Sequence, residues 1–341
     1  MYTKESFCNH ILKKKYETVK EIVLVKPYIT FSIPKKNGNR IIHYLENNSE
    51  LALLQKNLQK NFLAKQPLPV CVKGFRKNES YNSFLYPHIG AKYYLRIDIK
   101  NFFPSIKSHI IKREMGNIIN IDSKDNIDDL LDLICQIVTL DNCLPQGAYT
   151  SPTISNLVMA RVDQRILKYC QALDIKYTRY ADDLLFSSTD FNFKDKDWFL
   201  KKIKHIISSN ELKLNYTKLK YSEKEMVLNG YVISENGIRL SRKKLHDIRK
   251  VLSFVKTNYP IIKASGTDSF LSNLNKLDLK YRNLGTHSFT NIFKVIQYMN
   301  GNRAFLISFI NNDYENCGSQ KEIRKLINKI EILILKLSKA L

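Results

Sequence analysis

At 341 residues the chain exceeds a typical single domain, and its 55 Lys and Arg against 32 Asp and Glu leave a formal charge of +23. Two or three lobes and a polyanionic partner such as RNA or DNA are the expectation, although a ribosome-associated or simply basic protein carries the same balance. No stretch reaches the roughly 18 apolar residues that span a membrane, the start MYTKESFCNH has no apolar signal core, and the six cysteines form no Cys-x-x-Cys pair, which argues against zinc and fits a reducing cytoplasm.

Residues 1–25 read as a basic helix. Residues 28–46 read as a β-hairpin, in which YITFSI leads through Pro34-Lys-Lys-Asn-Gly-Asn-Arg40 into IIHYLE, with Asn37-Gly38 as the turn signal. Residues 50–66 place Leu51, Leu53, Leu54 and Leu58 on one helical face. A basic loop follows, with Lys73, Arg76 and Lys77. Residues 92–99 (KYYLRIDI) form a short buried strand of aromatic and β-branched type. Helices are expected at 107–119, 126–138 and 153–173, with a loop at 144–152. Residues 175–188 (IKYTRYADDLLFSS) read as two strands around a turn, 193–211 as a helix, and 212–215 and 227–233 as strands. From residue 241 onward the pattern is helical, with a break near Ser265-Gly266-Thr267.

The chemistry lies in the acids. Asp182 and Asp183 interrupt a segment that would otherwise be a core hairpin, and Asp98 ends the apolar strand KYYLRIDI. An Asp-Asp pair can be no more than a turn. If the two strands are neighbours, however, three carboxylates converge. They can then hold two hard divalent ions roughly 4 Å apart, a centre that activates a hydroxyl and stabilises a leaving phosphate. Acids at the middle of a strongly basic chain suit phosphoryl transfer, where the protein mostly positions groups and neutralises charge.

Four motifs in order carry a resemblance. Ile33-Pro-Lys-Lys-Asn-Gly-Asn-Arg40, Asp98 with Phe102-Phe103-Pro104-Ser105-Ile106, Leu144-Pro-Gln-Gly-Ala-Tyr-Thr-Ser-Pro152 and Tyr180-Ala-Asp-Asp183 together resemble the bacterial reverse transcriptases, the branch of retron and group II intron enzymes. The likeness covers about residues 25–240 and continues more loosely beyond. It implies an α+β right-hand polymerase. The N-terminal helix and fingers would take 1–95, the palm 96–240 with fingers helices inserted at 107–140, and a helical thumb 241–341.

The resemblance also implies roles. Asp98, Asp182 and Asp183 are the catalytic acids and, with the carbonyl of Ile99, ligands of two Mg2+ ions. Phe103 is the bulky gate against a ribose 2′ hydroxyl, with a plain core Phe as the alternative. Lys36 and Arg40 meet the dNTP triphosphate, or form a solvated basic turn. Gln146 and Gly147 line the nucleotide pocket, and Lys218 neutralises pyrophosphate. Lys73, Arg76, Lys77, Tyr180, Gly230, Lys243, Lys244, Lys250 and Arg282 meet nucleic acid, with Leu228-Asn-Gly230 and Tyr231 as the strand beside the primer end.

Ser151-Pro152 and a chain with no room for maturase or endonuclease parts favour the retron type. Retron enzymes carry Asn-Ala-x-x-His before the first acid and Val-Thr-Gly late in the palm, segments tied to recognition of the cognate RNA. Here the stretches read Phe84-Leu-Tyr-Pro-His88 and Leu228-Asn-Gly230. The implied activity is RNA-directed DNA synthesis in the cytoplasm from a cognate structured non-coding RNA, with an effector protein as a further partner and a role in anti-phage defence. The alternatives are a defence-associated reverse transcriptase outside the retrons, an inactive RNA-binding polymerase fold, and an RNA-templated RNA polymerase, the last opposed by Phe103. In residues 240–341 cations outnumber acids by more than two to one, which suits a thumb on a phosphate backbone.

Overall fold

A computed structural model of the chain describes residues 2–34, 38–119, 127–279, 289–310 and 320–339. They fall into two compact units, one drawn from Met1–Ile33 and Arg40–Lys224, the other from Pro34–Asn39 and Glu225–Leu341. The division falls between Lys224 and Glu225. No helix among the described residues is long and apolar enough to cross a membrane.

The first unit opens with α1 (Lys4–Phe7), a π-turn and α2 (Tyr16–Leu24). The single helix expected over 1–25 is broken at Lys13, whose φ of 62° cannot continue a right-handed helix. Strands β1 (Tyr28–Pro34) and β2 (Asn39–Leu45) pair as the expected hairpin. Helix α3 (Glu50–Asn61) starts at Ser49, whose hydroxyl caps the Ala52 N–H at 3.3 Å. A short α4 (Tyr81–Leu85) precedes β3 (Tyr93–Asp98), and α5 (Phe102–Ser105), α6 (Ser108–Gly116), α7 (Ile127–Val138) and α8 (Ser151–Gln171) follow. Then come β4 (Lys176–Tyr180), β5 (Asp183–Ser188), α9 (Asp197–Ser208) and β6 (Lys220–Glu223). Residues 212–215 form no strand; Leu214 makes one isolated bridge to Ile99.

The four-stranded sheet runs β4-β5-β3-β6, all antiparallel. Because side chains alternate along a strand, its two faces differ. Leu95, Ile97, Leu184, Phe186 and Tyr177 face the core, toward α8. Arg96, Asp98, Asp183 and Ser187 share the opposite face. His88 is wholly buried against that face, its ring nitrogens 2.7 Å from Ser187 Oγ and 2.7 Å from Thr178 Oγ1. The one element retained from the retron Asn-Ala-x-x-His pattern is thus an internal brace between β4 and β5.

Burial, helped by the charge of Lys176, pushes the His88 pKa down to about 3. An unfolded His takes up its proton near pH 6.5, whereas native His88 stays neutral to far lower pH. Its contribution to stability is therefore complete above about pH 6.5 and lost as pH falls, by up to about 1.4 kcal/mol per pH unit. Urea unfolding between about pH 7 and 4.5 is expected to show this slope. His88→Gln is expected to flatten it, and an equal slope in the variant contradicts the assignment.

In the second unit β7 (Glu225–Leu228), β8 (Tyr231–Ser234) and β9 (Gly237–Leu240) form a meander. The single strand expected over 227–233 is corrected to two strands around Asn229-Gly230, both at positive φ (46° and 93°), a tight hairpin turn. Helices α10 (Arg242–Asn275), α11 (Ile292–Ile310) and α12 (Gln320–Ser338) follow. Ser241 caps α10, and the expected break appears as a kink at Gly266 (φ 77°). Phe305 of α11 packs 5.0 Å from Tyr231, and Arg303 pairs with Glu331 across α11 and α12.

Candidate active site

Two strand contacts build the site. Asp98 lies opposite Asp183 across the β3–β5 ladder, and Tyr180 lies opposite the same Asp183 across β4–β5. Only Ala181 and Asp182 remain to make the turn. Ala181 takes φ 55°, as the first position of so short a hairpin requires. Beyond β3, the Ile99 N–H donates to the Asp182 carbonyl at 3.0 Å. The segment bearing the first acid and the turn bearing the acid pair, distant in sequence, are therefore joined through the backbone.

Each acid has its own environment. Asp98 is 2% exposed; its carboxylate accepts from Asn215 Nδ2 at 3.0 Å and from Lys218 Nζ at 2.7 Å. Asp183 accepts a forked pair from Arg96, with Nε at 3.0 Å and Nη2 at 2.7 Å from one oxygen, the strong planar geometry of guanidinium and carboxylate. Asp182 is held above the usual carboxylate range by burial first and the Asp98 charge second, with Lys218 and Arg40 pulling the other way. Asp183 is also raised by burial, which outweighs the opposing pull of Arg96.

Among the described residues no group of three His, Cys, Asp or Glu side chains stands close enough to hold a metal ion. The three acids act on one another by charge, and Asp183 is in addition engaged by Arg96 and Asp98 by Lys218. The reason is electrostatic. Carboxylates brought together repel one another, and Arg96 and Lys218 supply the compensating cations. The donor set nonetheless fits a hard divalent ion: carboxylate and carbonyl oxygens, with no thiolate or imidazole.

The other expected residues divide. Lys218 reaches Asp98, and Arg40, though exposed, is near enough to act on Asp182. Phe103 is half-buried, its ring 6.0 Å from Phe75 and 5.5 Å from Phe102. The Gln146 carbonyl accepts from the His43 N–H at 2.8 Å. A Cβ on Gly147 (φ 119°) would stand 2.7 Å from the His43 carbonyl, so this glycine is needed for the loop to lie against β2. Tyr180 packs edge-on to Tyr81 at 5.1 Å.

Among the basic residues expected to meet nucleic acid, several are already engaged. Lys73 pairs with Glu79 at 2.8 Å and Arg76 donates to the Pro69 carbonyl at 3.3 Å, while Lys77 is exposed. In the second unit Lys243 is exposed, and Lys250 donates to the Asp278 carbonyl at 3.1 Å. Lys244 donates to Asn302 at 2.8 Å and lies over the Phe305 ring; burial lowers its pKa. Its stem lies 3.3 Å from where a Cβ on Gly230 would be. Lys36 and Arg282 lie outside the described residues.

Sequence reasoning missed four supporting residues. Arg96 and Asn215 hold the acids from the same face. On the core face Arg179 and Asp163 form an ion pair at 2.7 Å, both 0% exposed. Arg179 also donates to the Ala181 carbonyl at 3.0 Å and to Asn156 Oδ1 at 3.1 Å, and Tyr177 donates to Asp163 at 2.7 Å. This network grips the turn from behind. The available signal was the charge of Arg96 and Arg179 inside otherwise apolar strands, since charges are seldom buried unpaired.

Residues 30–233 match the family model described as Reverse transcriptase (RNA-dependent DNA polymerase). The retron Ec86 reverse transcriptase of Escherichia coli is 32% identical over 227 residues, covering 65% of this chain and 68% of that protein. The retron Ec73 reverse transcriptase of the same organism is 33% identical over 238 residues, covering 65% and 73%. For the retron Mx65 reverse transcriptase of Myxococcus xanthus the identity is 30% over 179 residues, 49% of this chain and 42% of that protein. Among solved structures, telomerase from Candida albicans aligns with a TM-score of 0.44 at 12% identity, covering 90% of this chain and 63% of that one, too loosely to carry an argument.

Proposed function

This chain belongs to the reverse transcriptase family, as an RNA-directed DNA polymerase of the retron type, and from that membership we propose that it extends DNA at Asp98 and Asp182 on two magnesium ions. The family's dependence on divalent ions matches the oxygen-only donor set. The observation that carries the reading is the Ile99-to-Asp182 hydrogen bond of 3.0 Å, which joins the two acid-bearing segments.

Ions held there by Asp98, Asp182 and the Ile99 carbonyl would supply activation of the primer 3′ hydroxyl and neutralisation of the leaving pyrophosphate. Asp183 is the third acid, available when Arg96 yields it. Arg40 draws the triphosphate toward Asp182 through its planar donor fork. Lys218, which donates to Asp98 at 2.7 Å, would neutralise the pyrophosphate were Asp98 engaged by an ion. Phe103 closes the pocket beneath the sugar, and Gln146 sets its floor through the loop that Gly147 allows.

The first unit supplies fingers and palm, and the second the thumb. Lys77 and Lys243, both exposed, track phosphates, a sequence-independent and salt-sensitive contribution. The template is a cognate structured RNA, and the setting is the cytoplasm, with an effector protein in anti-phage defence.

Primer extension tests this. On a primed RNA template the protein is expected to add dNTPs in magnesium, to stop in excess EDTA, and to resume on readdition. Failure to extend any primed RNA contradicts the reading and favours an RNA-binding polymerase fold without activity.

A further inference from the structure

Resting on the reading of Phe103 as the sugar gate, we infer that Phe75 is a positioning residue for sugar selection, holding the Phe103 ring upright from the exposed side. Three observations lead there.

The first is how the loop before Phe75 is anchored. Val72 bridges to Arg179 in parallel, the Lys73 N–H donates to the Arg179 carbonyl at 2.8 Å, and the Arg179 N–H donates to the Cys71 carbonyl at 2.8 Å. Asn156 Nδ2 donates to the Gly74 carbonyl at 2.9 Å. A Cβ on Gly74 would stand 2.5 Å from the Ala181 nitrogen, so the loop lies directly on the turn that carries Asp182. Its position is fixed relative to the acids.

The second is conformation. Phe75 takes φ 57°, a left-handed backbone that a bulky side chain rarely adopts. Glycine or asparagine would adopt it at less cost. Strain of this kind persists where the surroundings enforce it, and it clusters at functional sites.

The third is where the ring ends up. Phe75 is 45% exposed, so its ring is not spent on the core. It leans on Phe103 at 6.0 Å between ring centres and 51° between planes. Phe102, buried, lies 5.5 Å from Phe103. Phe103 itself is only half-buried, and a gate that can swing aside does not exclude a hydroxyl. Phe102 and Phe75 together restrict its rotation. Phe75 thereby acts on the sugar through Phe103, without touching the reacting atoms.

The experiment measures kcat/KM for a dNTP and the matching rNTP on one primed RNA template, with thermal midpoints. It uses the full-length wild type, Phe75→Ala, Phe75→Tyr, Phe103→Ala and the double alanine variant. Phe103→Ala is expected to raise relative ribonucleotide use by roughly 10- to 100-fold, as loss of a steric contact in a pocket does. Phe75→Ala is expected to raise it by about three- to tenfold, the size of one aromatic pair. Phe75→Tyr is expected to restore wild-type selection, and Phe75→Ala to add nothing in the Phe103→Ala background. If Phe103→Ala relaxes selection and Phe75→Ala does not, the inference falls while the gate stands. An additive Phe75→Ala effect in the double variant also overturns it, since Phe75 would then act independently. If Phe103→Ala itself leaves selection unchanged, the gate reading fails.

Discussion

Asp182→Ala is expected to abolish dNTP incorporation on a primed RNA template, by roughly a thousandfold or more. A bound divalent ion supplies several kcal/mol of charge stabilisation to a phosphoryl transition state, at one decade of rate per ~1.4 kcal/mol. Asp182 sits at the tip of the β4–β5 turn beside Asp98, and the charge of that neighbour helps to raise its pKa. Its carboxylate is thus a cost to the protein alone and a gain once cations arrive. The variant is expected to unfold no earlier than wild type, because the change removes a like-charge contact. Single-nucleotide extension and thermal unfolding on the same preparation read both. Activity retained within tenfold contradicts the assignment of Asp182.

Arg179→Met is expected to destabilise the first unit by about 3–5 kcal/mol, the usual consequence of leaving one member of a buried ion pair alone. That is a large share of the ~5–15 kcal/mol that holds a folded domain. Asp163 and Arg179 are both 0% exposed, and no water can replace the missing partner. The same change frees the Ala181 carbonyl and Asn156 from Arg179. Asp163→Leu combined with Arg179→Met is expected to recover much of the loss, since an apolar pair of similar volume avoids the unpaired charge. Urea unfolding of both variants measures it. A single variant as stable as wild type contradicts the bracing role.

Much of this architecture was legible in the sequence because local rules and burial agreed. β3 and β5 are short, largely apolar runs and β4 carries Tyr177, Thr178 and Tyr180, residue types that strands favour, and the acids that interrupt them mark the site. α8 begins at Ser151-Pro152, with proline in its first turn as geometry favours. Other features followed equally plain rules. Asn229-Gly230 is as clear a turn signal as Asn37-Gly38, yet the apolar residues on both sides mask it as one strand. The break at Lys13 has no glycine or proline to announce it, because tertiary packing imposes it.

The supporting pairs were illegible for a different reason. Arg96 with Asp183 and Arg179 with Asp163 join residues far apart in the chain. A sequence shows that a buried cation needs an anion, but not which one. Gly147 was legible as a pocket residue, while its neighbour, the His43 carbonyl, depended on how β2 docks. Asp183 was read as one of three gathered acids, and the pull of Arg96 from the same face of β3 could be seen only once the register was known.

The central claim is that Asp98 and Asp182 hold the catalytic ions. The most direct test is a crystal structure with template, primer, manganese and a dNTP that cannot be incorporated, located by anomalous scattering. The account predicts manganese bonded to carboxylate oxygens of both Asp98 and Asp182, at about 2.0–2.5 Å, with Lys218 displaced from Asp98. Manganese bound elsewhere beside an ordered dNTP, with Lys218 still on Asp98, contradicts it.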